Sequence, residues 1–150
     1  MNIDLTHTFE SCLRKQILIK KTFESCIVPE EIYQKIIELG KNLPPYPFLD
    51  KTPEYLVKGC QSTMYLRSYL KETKMHFEVY SEALISAGLA ALLLSVYQGE
   101  IPEVILKCPP LFLEEIGLYT ALSPSRSSGL SNLFLHMKQE SLKALTKNVN

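Results

Sequence analysis

The sequence predicts an α+β fold in which a small antiparallel sheet of three strands packs against several helices in a single domain. The chain has 150 residues, the usual length of one domain. Residues 63–70 and 75–80 alternate apolar and polar side chains, as strands with one buried face do. Residues 83–97 are apolar on nearly every face, which is typical of a buried helix. Together these patterns predict one core that contains both a sheet and a central helix.

Ahead of the sheet, the sequence predicts two helices and an extended connector. The first helix covers residues 5–20. The second covers residues 29–39, with a proline at its first position, two glutamates in its first turn, and Gly40 as its stop signal. Residues 43–48 include three prolines and are therefore expected to be extended.

Residues 55–58, 63–70 and 75–80 are the three predicted strands. The polar residues 71–74 are expected to join the second and third strands as a hairpin. Residues 59–61 then lie at the turn between the first two strands.

After the sheet, the sequence predicts only helices. The apolar run 83–97 is interrupted by serines and is shorter than the roughly 20 residues that span a bilayer, so we expect a core helix. Short helices follow at 102–107 and 111–116. A C-terminal helix starts with Ser123 as N-cap and a proline after it, and its end is expected to fray from about residue 145.

The composition excludes several classes of function. The 16 basic and 16 acidic residues balance to a net charge of zero, so nucleic-acid binding and a polybasic membrane contact have no electrostatic basis. Asp4 and Glu10 interrupt the first ten residues, which argues against a secretory signal and favours a cytoplasmic location. The four cysteines lie far apart, with no C-x-x-C motif and no histidine at metal-ligand spacing, so we expect reduced thiols and no metal site.

Among the cysteines, Cys60 has the most unusual context. Cys12, Cys26 and Cys108 lie among apolar residues and are expected to be small buried hydrophobes. Cys60 follows Gly59 at a predicted loop tip, where a thiol can meet a partner. From the residues alone, a functional thiol and a partly buried structural one remain equal alternatives.

Arg126 is a cation in the first turn of the predicted C-terminal helix, where the helix dipole disfavours positive charge. One interpretation is a surface salt bridge with Glu114 or Glu115. The other is that the guanidinium holds an anion or a carboxylate of a protein partner.

A cysteine hydrolase would need a histidine beside Cys60 to activate the thiol. His76, on the predicted hairpin, is the one plausible neighbour in the sequence. A histidine at a solvent-facing strand position is more often simply solvated, so this dyad is the least favoured alternative.

Four segments, in a fixed order, resemble the SufE family of sulfur acceptors, including its CsdE branch. They are residues 36–44 (IIELGKNLP), 57–62 (VKGCQS), 85–93 of the core helix, and 122–130 (LSPSRSSGL). The resemblance covers about residues 30–138, and the joint occurrence of GCQS and LSPSRSSGL is its most specific part.

The resemblance implies a SufE/IscU-like fold for residues 29–146. Residues 1–28 would then be a helical segment outside the family match, and residues 147–150 a frayed tail. It also implies a partner, a cysteine desulfurase of the SufS or CsdA type, and we expect the chain itself to be a monomer or weak dimer.

The resemblance further implies that Cys60 accepts persulfide sulfur from the desulfurase and hands it to the SufBCD scaffold for iron–sulfur cluster assembly. Arg126 matches an arginine associated with docking, and Gly59, Gln61 and Ser62 match the loop frame. Pyridoxal phosphate belongs to the partner, so this chain is expected to hold no cofactor and to be a carrier rather than an enzyme. A non-carrying allosteric activator of the desulfurase is the alternative.

Persulfide transfer requires one reachable thiol and no metal or base of its own. A persulfide in free solvent is labile to reductants and oxidants, so we expect the Cys60 side chain to rest against apolar groups near Met64 and the core helix, and to swing out on docking. Tyr80 stands where the family commonly has an acidic residue, so the tether that such an acid would supply is not expected here.

Overall fold

The computed structural model describes residues 5–147, which form an antiparallel hairpin surrounded by helices. The two strands are β1 (Met64–Lys71) and β2 (Lys74–Ser81). The helices are α1 (Leu5–Thr8), α2 (Glu10–Phe23), α3 (Pro29–Lys41), α4 (Leu84–Tyr97), α5 (Pro102–Lys107), α6 (Phe112–Glu115), α7 (Leu118–Ala121) and α8 (Pro124–Lys147). Within residues 5–147, no helix is both long and apolar enough to cross a membrane.

The predicted hairpin is confirmed, and its buried side chains follow the predicted pattern. Its register runs from Met64 opposite Ser81 to Lys71 opposite Lys74. Glu72 and Thr73 both have positive φ, as the central residues of a type I′ turn do. The buried side chains of the two strands all point to one face, and they are Met64, Leu66, Met75, Phe77 and Val79.

The prediction of a third strand at residues 55–58 is wrong. This segment makes a single bridge to β1, between Leu56 and Tyr65, with one backbone hydrogen bond from Val57 N–H to Met64 C=O at 2.9 Å. The ladder cannot extend further because Pro53–Tyr55 forms a 3₁₀ turn on one side and Gly59, with φ of 83°, turns the chain on the other. The sheet within residues 5–147 therefore has two strands.

The free edge of β2 is covered by the residues that follow α4. Met75 N–H donates to Glu100 C=O at 2.8 Å, and Gly99 N–H donates to Met75 C=O at 2.9 Å. The side-chain amide of Gln98 pairs with both backbone groups of Phe77, at 2.7 and 2.8 Å. These bonds satisfy edge groups of β2 that would otherwise face solvent.

Helix α4 is the predicted core helix, and it contacts α2, α3, α8 and β2. Its closest contact is with α3, where Gly88 lies directly against the backbone of Ile36. A Cβ at Gly88 would lie 2.2 Å from the Ile36 carbonyl oxygen, so a side chain cannot fit there without separating the helices. The two helices therefore pack backbone to backbone at this point.

The N-terminal region differs from the prediction of one helix at 5–20. The chain bends at Phe9, between α1 and α2, and α2 continues to Phe23. Helix α2 adds Cys12, Ile19 and Phe23 to the same core, so it belongs to the single domain.

The remaining helices follow the prediction closely. Helix α3 is two residues longer at its end than predicted, α5 has the predicted bounds, and α6 is shorter by one residue at each end. Helix α7 was not predicted. Ser123 caps α8 by accepting the Arg126 N–H at 3.3 Å, and α8 stays helical to Lys147. Residues 148–150 of the predicted frayed tail lie outside the described residues.

Replacing Gly88 with alanine should lower the free energy of unfolding by about 3 kcal/mol, because the added methyl group overlaps the α3 backbone. Gly129→Ala is the matched control, since a Cβ there meets only Cys60 Sγ at 3.8 Å. That change should raise stability by about 0.5–1 kcal/mol, because glycine weakens a helix interior. Denaturant unfolding followed by circular dichroism measures both, and equal effects of the two variants would contradict the proposed contact.

Candidate functional site

Cys60 lies in the loop between the Leu56 bridge and β1, where Gly59 adopts the left-handed backbone conformation. Its side chain is half-buried, and its sulfur lies 3.7 Å from the carbonyl oxygen of Gly129 in α8. The thiol at the predicted loop tip is thus folded back against the protein instead of projecting into solvent.

The Cys60 pocket is formed by three elements: the loop itself with the start of β1, the first turns of α4, and the first turns of α8. The pocket leaves about 20 Å³ of free space, which is room for roughly one water molecule. Its walls combine apolar side chains with a few polar ones at one end. The lining residues are Cys60, Gln61, Ser62, Met64, Ser86, Leu89, Ser125, Arg126, Gly129, Leu130 and Leu133. The expected apolar surroundings of Cys60, with Met64 and the core helix, are confirmed.

Burial raises the pKa of the Cys60 thiol above its ordinary value. Lys58 does not line the pocket and instead borders a separate groove with Leu56 and Asn132. In this arrangement the thiol is protonated at neutral pH, and therefore weakly nucleophilic.

Asn132 of α8 holds the loop just before Cys60. Its side-chain Nδ2–H donates to the carbonyl oxygen of Gly59 at 2.9 Å. A Cβ at Gly59 would lie 2.3 Å from the same Nδ2 atom, so glycine is required here both by its φ and by this close approach.

Ser86 of α4 holds the loop just after Cys60. Its hydroxyl lies 3.0 Å from the Ser62 hydroxyl and also accepts a hydrogen bond from Arg126 Nη1 at 3.0 Å. Arg126, Ser86 and Ser62 therefore form one continuous chain of hydrogen bonds that joins α8, α4 and the loop.

The surface salt bridge considered for Arg126 is not observed. Glu115 instead pairs with Lys20, and no carboxylate within residues 5–147 lies within 4.0 Å of the Arg126 guanidinium. Arg126 therefore keeps an uncompensated charge next to the Cys60 pocket.

The Cys60–His76 dyad is not assembled. His76 lies on β2 opposite Tyr69 and stacks on that ring at 5.5 Å, close to the hairpin turn. None of the described histidines lines the Cys60 pocket.

The remaining predicted residues are the three loop residues near Cys60 and the other cysteines. Gly59, Gln61 and Ser62 lie in the Cys60 loop as expected, although Gly59 does not line the pocket. Cys12 and Cys108 are fully buried and Cys26 is half-buried. In the described part of the chain, no three His, Cys, Asp or Glu residues cluster as metal ligands would.

Tyr80 lies on the face of the hairpin opposite the core, away from the Cys60 pocket. Its ring packs near Tyr46 and Tyr65, and the Lys51 ammonium group lies 3.6 Å from its centroid. The position thus contributes to a separate aromatic cluster and not to the loop contacts.

The sequence patterns predict no role for Ser86 or Asn132. Ser86 had a signal, because it is one of two serines inside an otherwise apolar helix. Asn132 had none, because an asparagine on an amphipathic helix is ordinary.

A comparison with known families identifies the family of this chain. A family model described as "SufE: Fe-S metabolism associated domain" matches residues 18–141. The chain belongs to the SufE family. The match begins inside α2 and includes the Cys60 loop, α4 and the first turns of α8.

Individual SufE-family relatives agree. The chain is 35% identical over 145 residues to the sulfur acceptor protein CsdE of Escherichia coli, covering 95% of each protein. It is 36% identical over 125 residues to SufE-like protein 1 of Arabidopsis thaliana, covering 83% of this chain but only 34% of that protein. The chain thus spans about a third of the length of the plant relative.

A solved structure shares the fold. The solution structure of a hypothetical protein from Thermus thermophilus superposes with a TM-score of 0.72 at 27% identity, covering 88% of this chain and 96% of that one.

The raised pKa of Cys60 predicts a pH dependence for its alkylation. Only the thiolate reacts, so the rate with iodoacetamide should be low at neutral pH and reach half its maximum at a higher pH in the folded chain than in the chain unfolded in guanidinium. Mass spectrometry of the Cys60 peptide measures both profiles. A folded-state midpoint at or below the unfolded one would contradict the burial effect.

Proposed function

We propose that this chain is a sulfur acceptor that receives persulfide sulfur from a cysteine desulfurase on Cys60 and passes it to iron–sulfur cluster assembly. The desulfurase would be of the SufS or CsdA type, and the receiving scaffold of the SufBCD type. The observation that carries the proposal is the position of Cys60 within a SufE domain. Cys60 follows Gly59 on a loop, and its side chain is folded into a small pocket. The full-length similarity to the sulfur acceptor protein CsdE supports the same role.

The transfer is a thiol exchange that needs nothing beyond the two cysteines. The Cys60 thiolate attacks the outer sulfur of the donor persulfide, a new sulfur–sulfur bond forms on Cys60, and the donor cysteine leaves as a thiolate. The proton released from Cys60 balances the charge on the donor. Pyridoxal phosphate, which liberates sulfur from cysteine, belongs to the desulfurase, and this chain contributes the acceptor thiol alone.

The Cys60 pocket suits storage of the transferred sulfur. It has free space for a small added group, and its walls include Met64, Leu89 and Leu133. A persulfide held there is separated from reductants and oxidants in solvent.

The same burial means that transfer requires the loop to move. Cys60 in its folded-back position is protonated and only half accessible, so it cannot attack a donor held by another protein. An outward swing on docking exposes the thiol and removes the desolvation that raises its pKa.

Arg126 is the proposed docking contact. Its guanidinium lies beside the Cys60 pocket with no carboxylate partner in the described chain, so a carboxylate on the desulfurase can pair with it. This contact would place the partner directly over the loop.

Two alternatives make different predictions. A non-carrying activator would stimulate the desulfurase without holding sulfur. A stand-alone cysteine hydrolase would act without the desulfurase, and the separation of His76 from the Cys60 pocket weighs against it.

Incubation with a SufS-type desulfurase and cysteine should add one sulfur to the intact mass of the wild-type chain. Cys60→Ser should abolish the adduct and the stimulation of the desulfurase. Cys26→Ser should keep both, because Cys26 is also half-buried but lies outside the pocket. Stimulation undiminished by Cys60→Ser would leave only the activator, and hydrolysis of a test ester without any desulfurase would instead support the hydrolase.

Arg126→Ala should raise the concentration of this protein that gives half-maximal stimulation by about tenfold, because a charge contact to the partner is lost. Arg14→Ala is the matched control, since Arg14 lies exposed on α2, where it pairs with Glu10. A titration of desulfurase activity measures both. Equal curves for the two variants would exclude Arg126 from the interface.

A further inference from the structure

The Cys60 loop is held by polar contacts on both sides of the cysteine, while the cysteine itself is held weakly. We propose that Asn132 and Ser86 are positioning residues that latch this loop, and that Arg126 connects the Ser86 side of the latch to the docking surface. The inference rests on the proposed function, because it explains how docking and exposure of the thiol are coupled.

Cys60 itself makes no strong hydrogen bond that would keep the loop folded back. The sulfur has one polar contact, 3.7 Å from Gly129 C=O, and thiols are poor hydrogen-bond donors. The conventional hydrogen bonds lie at the flanking residues: Gly59 C=O accepts from Asn132 at 2.9 Å, and the Ser62 hydroxyl lies 3.0 Å from that of Ser86. The energy that keeps the thiol in its pocket therefore includes these two bonds.

The anchoring atoms lie on rigid elements. Ser86 is on α4, whose residues from Gly88 to Tyr97 are all buried except Ser95, and Asn132 is on α8, one turn after Gly129. The loop is therefore bound to two helices that contribute buried side chains to the core. Loss of either bond frees one end of the loop without disturbing the core.

Arg126 acts on the Ser86 side through a shared hydroxyl. Its Nη1–H donates to Ser86 Oγ at 3.0 Å, which polarises the hydroxyl and strengthens its bond to Ser62. A partner carboxylate makes a stronger, charge-assisted bond with the guanidinium and withdraws it from Ser86. Docking then weakens the latch at the moment when a donor arrives.

The latch can be tested in the free chain, without a desulfurase. Ser86→Ala and Asn132→Ala should each increase the alkylation rate of Cys60 by about threefold to tenfold, because each removes one hydrogen bond that opposes opening. The rates of Cys12, Cys26 and Cys108 should not change. Site-resolved mass spectrometry measures all four thiols in one sample.

Two matched variants separate the latch from general loosening. Ser95→Ala removes a serine from the same helix whose hydroxyl bonds only to Leu92 C=O, and it should leave the Cys60 rate unchanged. Ser86→Thr keeps the hydroxyl and should restore the wild-type rate. An unchanged Cys60 rate in both latch variants, or a common acceleration of all four thiols, would overturn the proposal.

A double-mutant cycle tests the link to Arg126. Arg126→Ala should accelerate alkylation of Cys60 when Ser86 is present and have no further effect in the Ser86→Ala background, because both act through one hydroxyl. In the Asn132→Ala background the effect of Arg126→Ala should persist. Independent, multiplicative effects of Arg126 and Ser86 would show that no link exists. Because no sulfur transfer is measured, failure here leaves the sulfur-acceptor assay unaffected, and failure of that assay leaves this result standing.

Discussion

Burial of the apolar helix α4 is the constraint on which the rest of the structure depends. Almost every side chain from Gly88 to Tyr97 is removed from water, so the helix needs cover on all sides. Helices α2, α3 and α8 and the hairpin supply it, and Gly88 allows α3 to approach backbone to backbone. The apolar area removed from water at this helix is the main favourable contribution that the packing offers.

The proposed functional site lies where the packing around α4 changes from apolar to polar side chains. The first turn of α4 carries Ser86 instead of another aliphatic residue. The first turn of α8 carries Arg126, which donates to the Ser86 hydroxyl. The Cys60 loop closes the gap between the two helices. A thiol in this position is shielded and its raised pKa makes it poorly reactive, and the proposed latch of polar contacts around it would make that shielding reversible. In the proposed function, storage and transfer of sulfur place opposite demands on one side chain, and the proposed outward movement of the loop meets both.

The elements with strong local patterns could be predicted because their side chains repeat with the period of the structure. The alternation in residues 63–70 and 75–80, the Ser123-Pro124 start and the Pro29 start are such patterns, and all four elements are confirmed. The strand at 55–58 failed because a short extended piece becomes a strand only if its neighbours can continue the ladder. Pro53 and Gly59 prevent that, and Gln98–Glu100 covers the other sheet edge with pairing that no local pattern encodes.

By itself, the sequence determined most of the elements, the core helix and the unusual loop context of Cys60, because periodicity, capping and turn residues act over a few neighbours. It also supported the SufE family, since the GCQS and LSPSRSSGL segments are specific in themselves. Only the tertiary structure decided that Cys60 is folded inward, that Arg126 has no carboxylate partner in the described chain, and that Ser86 and Asn132 hold the loop. Those contacts join residues from 24 to 73 positions apart, and such distances are set by the packing of whole elements against α4.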